Sequence, residues 1–455
     1  MMEGETEQKS KPPKAWAAIS QWLPSRSSDD DHWWKVTGTQ LATLMDAAGY
    51  SQERQFEALL FHHQWTIPYM GKAPTPDGAP RWPSILGVEG MPLEYSWKWN
   101  SPTGQPEVRY TLEGIGRFSG TDMDPLNHDA SREYLYRLHA SVPSVDVTWF
   151  NHFLATLYDH DRSQYALEAA RGARYSTTIM FAAEFAPKGL GMKTYFIPRK
   201  LGQTRAGHIP MSVWEESLAQ LDPDNEARKA TYEFLDTPEG KLLSPFLLSF
   251  DNVTPAQSRL KFYFRTPHTS FKSLREILTL GGRISYPEDK MQQLRGLIIA
   301  ATGIDADFPE DEDVPLTPFY NRAAEHAFAE VPALLSGYIY YFDMAPGAKL
   351  PEVKFYVPVR HYGMDDWSLA RGVTGWMESQ GRGQFVQGYL SMLRSLSPKR
   401  PLDQGKGIQA YLSCMIKKNG ELDVTSYVAP EAFATTQNSP SKIVVPTRGT
   451  RRRDS

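Results

Sequence analysis

The chain has 455 residues, 41 % of them hydrophobic and 12 % aromatic, enough for a large core and for ring-lined pockets. Its formal net charge of −4 excludes a global field that would draw it to nucleic acid or an anionic membrane. One cysteine, Cys414, excludes a disulfide framework and a cysteine-built metal site; no apolar run approaches the ~18 residues of a membrane helix, so a cytoplasmic location is expected.

Residues 1–14 are charged and Pro-containing and read as a disordered segment. The acidic run DDDHWW at 29–34 reads as a loop or a helix start, and the adjacent histidines of HHQW at 62–65 read as structural, since neighbours on a helix cannot both face one metal. From residue 91 a rhythm begins. MPLEYSWKWN and VRYTLEGIG flank a Pro/Gly loop as a hairpin, and TTIMFAAEF with MKTYFIP repeats it. PFLLSFD with SRLKFYF, and GYIYYFDM with EVKFYVPV, make a third and a fourth. The fifth, IQAYLSCMIKKNGELDVTSYV, turns at Asn419-Gly420.

Between the hairpins lie helical patterns. DASREYLYRLHA, SVWEESLAQL, ARKATYEFL, FKSLREILTL, QLRGLIIAA and the long DWSLARG to YLSML segment fill the gaps, with Leu274, Ile277 and Leu278 at i, i+3 and i+4. EDED at 310–313 has no metal-motif spacing and reads as a solvated loop. The predicted fold class is therefore α+β. Ten antiparallel strands close into a barrel, which removes their edges, and helices ring the outside. Residues 15–433 are assigned to one domain, and 434–455, ending in an Arg run, to a disordered tail.

In SRLKFYF, Leu260, Phe262 and Phe264 share one face of a strand while Arg259, Lys261 and Tyr263 share the other. The same cation-then-tyrosine spacing recurs as Lys193 and Tyr195, Lys354 and Tyr356, and, with an amide, Gln409 and Tyr411; the first hairpin offers Arg109. One such pair is commonly an outward face of an amphipathic strand. Four in matching hairpins place cations and phenols together inside a closed barrel. There, each cation within 4 Å of a unit negative charge contributes about 4 kcal/mol at an effective dielectric near 20, so a polyanion such as a diphosphate suits the site. Cations without partners would be costly, so the geometry calls for an anionic ligand. The tyrosine faces would stabilise a carbocation by roughly 0.5–2 kcal/mol each.

GMPLEYS, VRYTLEGIG, MKTYFIP, SRLKFYF, EVKFYVPV and AYLSCMIKKNGELDVTSY together resemble the fungal aromatic (indole) prenyltransferases of the dimethylallyl tryptophan synthase type over nearly the whole chain. The resemblance implies the ABBA or PT-barrel fold and Friedel–Crafts alkylation of an aromatic acceptor by dimethylallyl diphosphate, with no cofactor and no magnesium. It places the diphosphate on Arg109, Lys193, Arg259, Lys261 and Lys354, where relatives often have Gln at the last position. The tyrosine shield maps to Tyr195, Tyr263, Tyr356 and Tyr411, with Gln409 beside it, and Glu94 to the carboxylate that accepts the acceptor's indole N–H. Relatives acting on free tryptophan carry a lysine near Met180 and Phe181; these two residues are assigned to the acceptor pocket. An indole such as a tryptophan-containing cyclic dipeptide or an indole alkaloid is the expected acceptor, with a phenolic or xanthone-type polyketide as the alternative. A non-catalytic barrel carrying a small aromatic or phosphorylated ligand is the reading from another class, and it would have no need of Glu94. No nucleic-acid or membrane partner is expected, and the chain is expected as a monomer or homodimer.

Overall fold

The computed structural model describes residues 12–430 apart from 77, 83, 85, 88–89, 171–177, 187–188, 199–208 and 318–336. The tail at 434–455 and residues 1–11 of the expected N-terminal segment lie outside the described residues. Ten strands form a closed antiparallel barrel: β1 (Leu93–Lys98), β2 (Glu107–Leu112), β3 (Ile179–Ala186), β4 (Gly189–Phe196), β5 (Ser244–Asp251), β6 (Leu260–Thr266), β7 (Tyr338–Met344), β8 (Glu352–Val357), β9 (Gln409–Ile416) and β10 (Leu422–Val428). Each pairs with its sequence neighbours, and β10 closes on β1 with Tyr95 opposite Val428 and Lys98 opposite Thr425. The five hairpins are those of the sequence rhythm. In the last of them Gly420 takes φ +79°, which the turn after Asn419 requires.

Alternation sorts the side chains. Outward residues of the strands are apolar and meet the helices. Phe262 packs at a tilt against Trp214 of the helix Met211–Leu221, and Phe342 against Phe234 of the helix Glu226–Leu235. Phe196 and Phe250 pack on Phe153 of the helix Thr148–Leu157. One hydrophobic cluster therefore fills the shell between sheet and helices, and a second, separate cluster that includes Met180, Leu247, Ile339 and Tyr356 lies within the lumen. Helices start where capping allows: Ser270 accepts from the N–H of Ser273, and Asp365 from those of Trp367 and Ser368. The long segment expected after residue 366 is two helices, Asp366–Ser379 and Val386–Leu396, broken where Gly381 takes φ +69°. No helix among the described residues is long and apolar enough to cross a membrane.

The residue after that break holds the seam. Buried Arg382 donates from Nε to the Asn100 carbonyl at 2.5 Å, from one terminal nitrogen to Leu422 at 2.8 Å and from the other to Trp99 at 3.2 Å. It thereby ties the end of β1 to the start of β10, where Trp99 Nε1 also donates to Ser426 Oγ across 327 residues of chain. Arg382→Met would leave three carbonyls without that donor, and we expect a loss of about 2–4 kcal/mol. A fall in thermal midpoint with little change in far-UV circular dichroism of the folded state checks it.

Candidate active site

The lumen is layered because inward residues two apart along each strand stack at successive depths. At one end is a chamber of about 520 Å³, lined by eight basic side chains and three carboxylates. Its cations are Lys98, Arg109, Lys193, Arg259, Lys261, Lys354, Lys417 and Lys418, so all five cations expected from sequence converge there, with three more. At the other end is an apolar chamber of about 140 Å³. Tyr195, Tyr263, Tyr356 and Tyr427 line both, forming the partition between them. Their ring centroids lie 6.4 Å (Tyr195 to Tyr263), 6.1 Å (Tyr263 to Tyr356) and 5.7 Å (Tyr356 to Tyr427) apart. Tyr341 joins from the polar side, 5.2 Å from Tyr263.

The cations are not bare. β2 sets Arg109 opposite Glu184 of β3, β4 sets Lys193 opposite Asp251 of β5, and β6 sets Lys261 opposite Asp343 of β7, so three strand pairs offer a cation a carboxylate. Glu184 pairs with Lys193 and, at 3.7 Å, with Arg109. Asp251 lies 3.1 Å from Arg259 Nε, 3.3 Å from Lys261 Nζ and 4.0 Å from Lys193 Nζ. Asp343 pairs with Arg259 at 3.4 Å. Asp423 lies 3.5 Å from Lys417 and 3.7 Å from both Lys98 and Lys354. The expectation of unpartnered cations is thereby corrected. Burial pushes Glu184, Asp251 and Asp423 upward, but the surrounding cations overcome it and hold all three below the usual carboxylate range. For Asp343 burial prevails over Lys261 and Arg259 and its pKa is raised. Lys261 is lowered by burial, against the pull of Asp251 and Asp343. Even with Asp251 and Asp343 counted among the carboxylates, cations remain in excess, so the chamber can hold a polyanion.

In the apolar chamber, Glu94 of β1 faces Met180, Leu247, Ile339 and Tyr411. Burial pushes its carboxyl up to about 8, only partly opposed by the Arg360 guanidinium. Arg360, in the short helix Val359–Tyr362 that follows β8, lies over the Tyr411 ring, 5.4 Å from its centroid, and its Nε is buried with no hydrogen-bond partner among the described residues. Three sequence assignments shift. Phe181, next to Met180, must face the other way; its ring packs 5.0 Å from Tyr134 in the helical shell. Gln409 also leaves the lumen. A bulge sets Gln409 opposite Val428 but Tyr411 opposite Tyr427, and the amide instead donates to the Asp366 carbonyl at 2.7 Å and accepts from Tyr389 at 3.0 Å. Tyr411 sits wholly in the apolar chamber, and Tyr427 takes its expected place in the partition.

The acidic and histidine motifs are structural. Asp29, Asp30 and Asp31 occupy the first turn of the helix Ser28–Trp33, His62 hydrogen-bonds Thr37 at 2.7 Å, and Asp313 accepts from the N–H groups of Thr269 and Ser270. Asp124, His128 and Asp129 bring donors within 4.8 Å of one another, but Asp124 already accepts from the N–H groups of His128 and Asp129 at the start of the helix Asp129–Ser141. Cys414 is buried, and burial pushes its thiol up to about 12, away from nucleophilic use.

Comparison with known proteins agrees with this geometry. The family model for tryptophan dimethylallyltransferase matches residues 29–392. The chain is 58 % identical to prenyltransferase anuH of Penicillium roqueforti over 97 % of this chain and 98 % of that one. It is 47 % identical to xanthone prenyltransferase B of Emericella nidulans, covering 92 % of each. Its fold matches the crystal structure of AnaPT from Neosartorya fischeri with a TM-score of 0.76 at 21 % identity, over 92 % of this chain and 98 % of that one. A cation-lined chamber separated by tyrosines from an apolar one, in a chain so related, belongs to the tryptophan dimethylallyltransferase family: this protein is an aromatic prenyltransferase.

Proposed function

We propose that the chain transfers a dimethylallyl group from dimethylallyl diphosphate to a ring carbon of a phenolic acceptor, with basic side chains in place of a divalent metal. The observation that carries this reading is the meeting of a cationic and an apolar chamber at one partition of four tyrosines. Arg109, Lys193, Arg259, Lys261 and Lys354 hold the diphosphate. The C–O bond to the allyl group breaks, and its electron pair leaves with pyrophosphate, whose growing charge those cations stabilise. The allyl cation is left against the faces of Tyr195, Tyr263, Tyr356 and Tyr427, which shield it from water. A π pair of the acceptor ring forms the new C–C bond, and the ring proton passes to the released pyrophosphate, which restores aromaticity.

Glu94 takes the hydroxyl hydrogen bond of the acceptor and, being a stronger base than an exposed carboxylate, raises the electron density of the ring as the electrophile arrives. Two observations favour a phenol over the indole expected first. A relative at 47 % identity is named for xanthones. Beside Glu94 stands a guanidinium whose buried Nε–H has no partner among the described residues; a hydroxylated ring bearing a carbonyl answers both groups from the ring system itself, whereas the indole ring offers a donor only and leaves the acceptor to its substituents. Purified protein with dimethylallyl diphosphate, EDTA and a panel of hydroxyxanthones, simple phenols, tryptophan and cyclic dipeptides tests this. A mass gain of one C5H8 unit on phenolic members is expected. Turnover confined to the indoles overturns the acceptor, and turnover abolished by EDTA and restored by magnesium overturns the metal-free step.

A further inference from the structure

The carboxylates among the diphosphate cations serve no step of the chemistry above, and burying them costs desolvation. Two are placed alike. Asp251 reaches Arg259, Lys261 and Lys193, and Asp423 reaches Lys417, Lys98 and Lys354, all within 4.0 Å. Each is thus a single anion shared by three cations on different strands or hairpin ends. Asp251 accepts from Arg259 Nε at 3.1 Å and from Lys261 Nζ at 3.3 Å, whereas the contacts of Asp423 are loose, at 3.5–3.7 Å. Among the described residues, Asp423 Oδ1, 3.7 Å from Lys354 Nζ, is buried and accepts no hydrogen bond, and the Lys354 ammonium donates a long bond of 3.5 Å to Thr425 Oγ1. A diphosphate oxygen in charge-assisted contact at about 2.7–2.9 Å would bind the same ammonium better.

We propose that Asp251 and Asp423 are resident counter-anions, positioning residues that hold the cations converged in the empty chamber and compete with pyrophosphate for them, so that the product leaves. The inference rests on the reading of this chamber as a diphosphate site. With both carboxylates present, arrival of a diphosphate exchanges one set of ion pairs for another, and departure is helped by the return of the first. Without Asp251, Lys193 keeps Glu184 and Arg259 keeps Asp343, and without Asp423, Lys98 keeps Glu107 and Lys417 keeps Glu421. Lys261 or Lys354, however, loses the carboxylate nearest its ammonium, and the chamber, one negative charge poorer, binds any polyanion harder.

Asp251→Asn and Asp423→Asn in the full chain, titrated calorimetrically with inorganic pyrophosphate, test this. Each variant is expected to bind pyrophosphate about tenfold tighter than the wild type. Each is also expected to melt lower than the wild type when empty and to recover most of that gap in saturating pyrophosphate. In turnover, kcat and the KM for dimethylallyl diphosphate should fall together, with a burst of product before a slow steady state, because release becomes limiting. A merely structural role would lower stability and affinity together. Unchanged or weaker pyrophosphate binding in the variants, beside measurable binding by the wild type, overturns the inference; absence of binding by the wild type overturns the diphosphate reading itself. The two residues serve separate cation trios, so if one variant does not fold the other decides.

Discussion

Glu94→Gln is expected to lower kcat by about 10²–10⁴-fold, the range for losing a positioned general base, while pyrophosphate affinity stays within about twofold. The amide keeps the shape of the side chain but cannot take a proton, and Glu94 lines the apolar chamber on the far side of the tyrosine partition from the cations. Because burial sets the Glu94 carboxyl at about 8, the wild-type kcat/KM for the acceptor should rise with pH up to a limb near that value, where the base becomes ionised. The variant should lack the limb. Stability supplies an independent sign. Between the ordinary carboxylate value of 4.5 and about 8, the folded protein holds a proton that the unfolded chain has released, so stability falls as pH rises through that window. Glu94→Gln removes this fall, and its melting temperature should therefore gain on the wild type at pH 9 relative to pH 5. A pH profile unchanged by the substitution would move the base elsewhere.

Lys261→Met should cost about 10²–10³-fold in kcat/KM for dimethylallyl diphosphate, comparable to removing one preorganised donor to a developing anion. Lys261 is only 6 % exposed and sits between Asp251 and Asp343, so its charge acts at short range through little water. Methionine preserves the aliphatic stem. Lys261→Arg should recover part of the loss by restoring charge with altered geometry, whereas a loss below tenfold in the methionine variant would remove Lys261 from the diphosphate site. Initial-rate kinetics at fixed ionic strength decide it.

Much of the barrel was legible because strand alternation and hairpin turns are local. Every expected hairpin formed, and the inward placement of Lys193, Lys261 and Lys354 follows from their spacing to tyrosine. The counter-carboxylates carried a signal too. Glu184, Asp251 and Asp343 each fall on the first strand of a hairpin, in FAAEF, LLSFD and IYYFDM, at the inward phase and near the same end. Period two applied to both strands of each hairpin would have found them, and it would have separated Met180 from Phe181. Gln409 was different. Its departure depends on one extra residue in β9 relative to β10, which no local pattern encodes, and on the Asp366 carbonyl waiting outside. Arg360 follows β8 in a four-residue helix, where strand periodicity no longer says which way a side chain faces.

The pairing of the first strand with the last has a consequence for biosynthesis. Trp99 and Ser426 meet across 327 residues, and a ribosome adding 5–20 residues per second needs roughly 16–65 s to supply them. Throughout that interval the emerging sheet carries two open edges, a template for intermolecular pairing that only chaperone cover or delayed collapse restrains. A premature stop before Leu422 should accordingly yield inclusion bodies rather than a weakened enzyme.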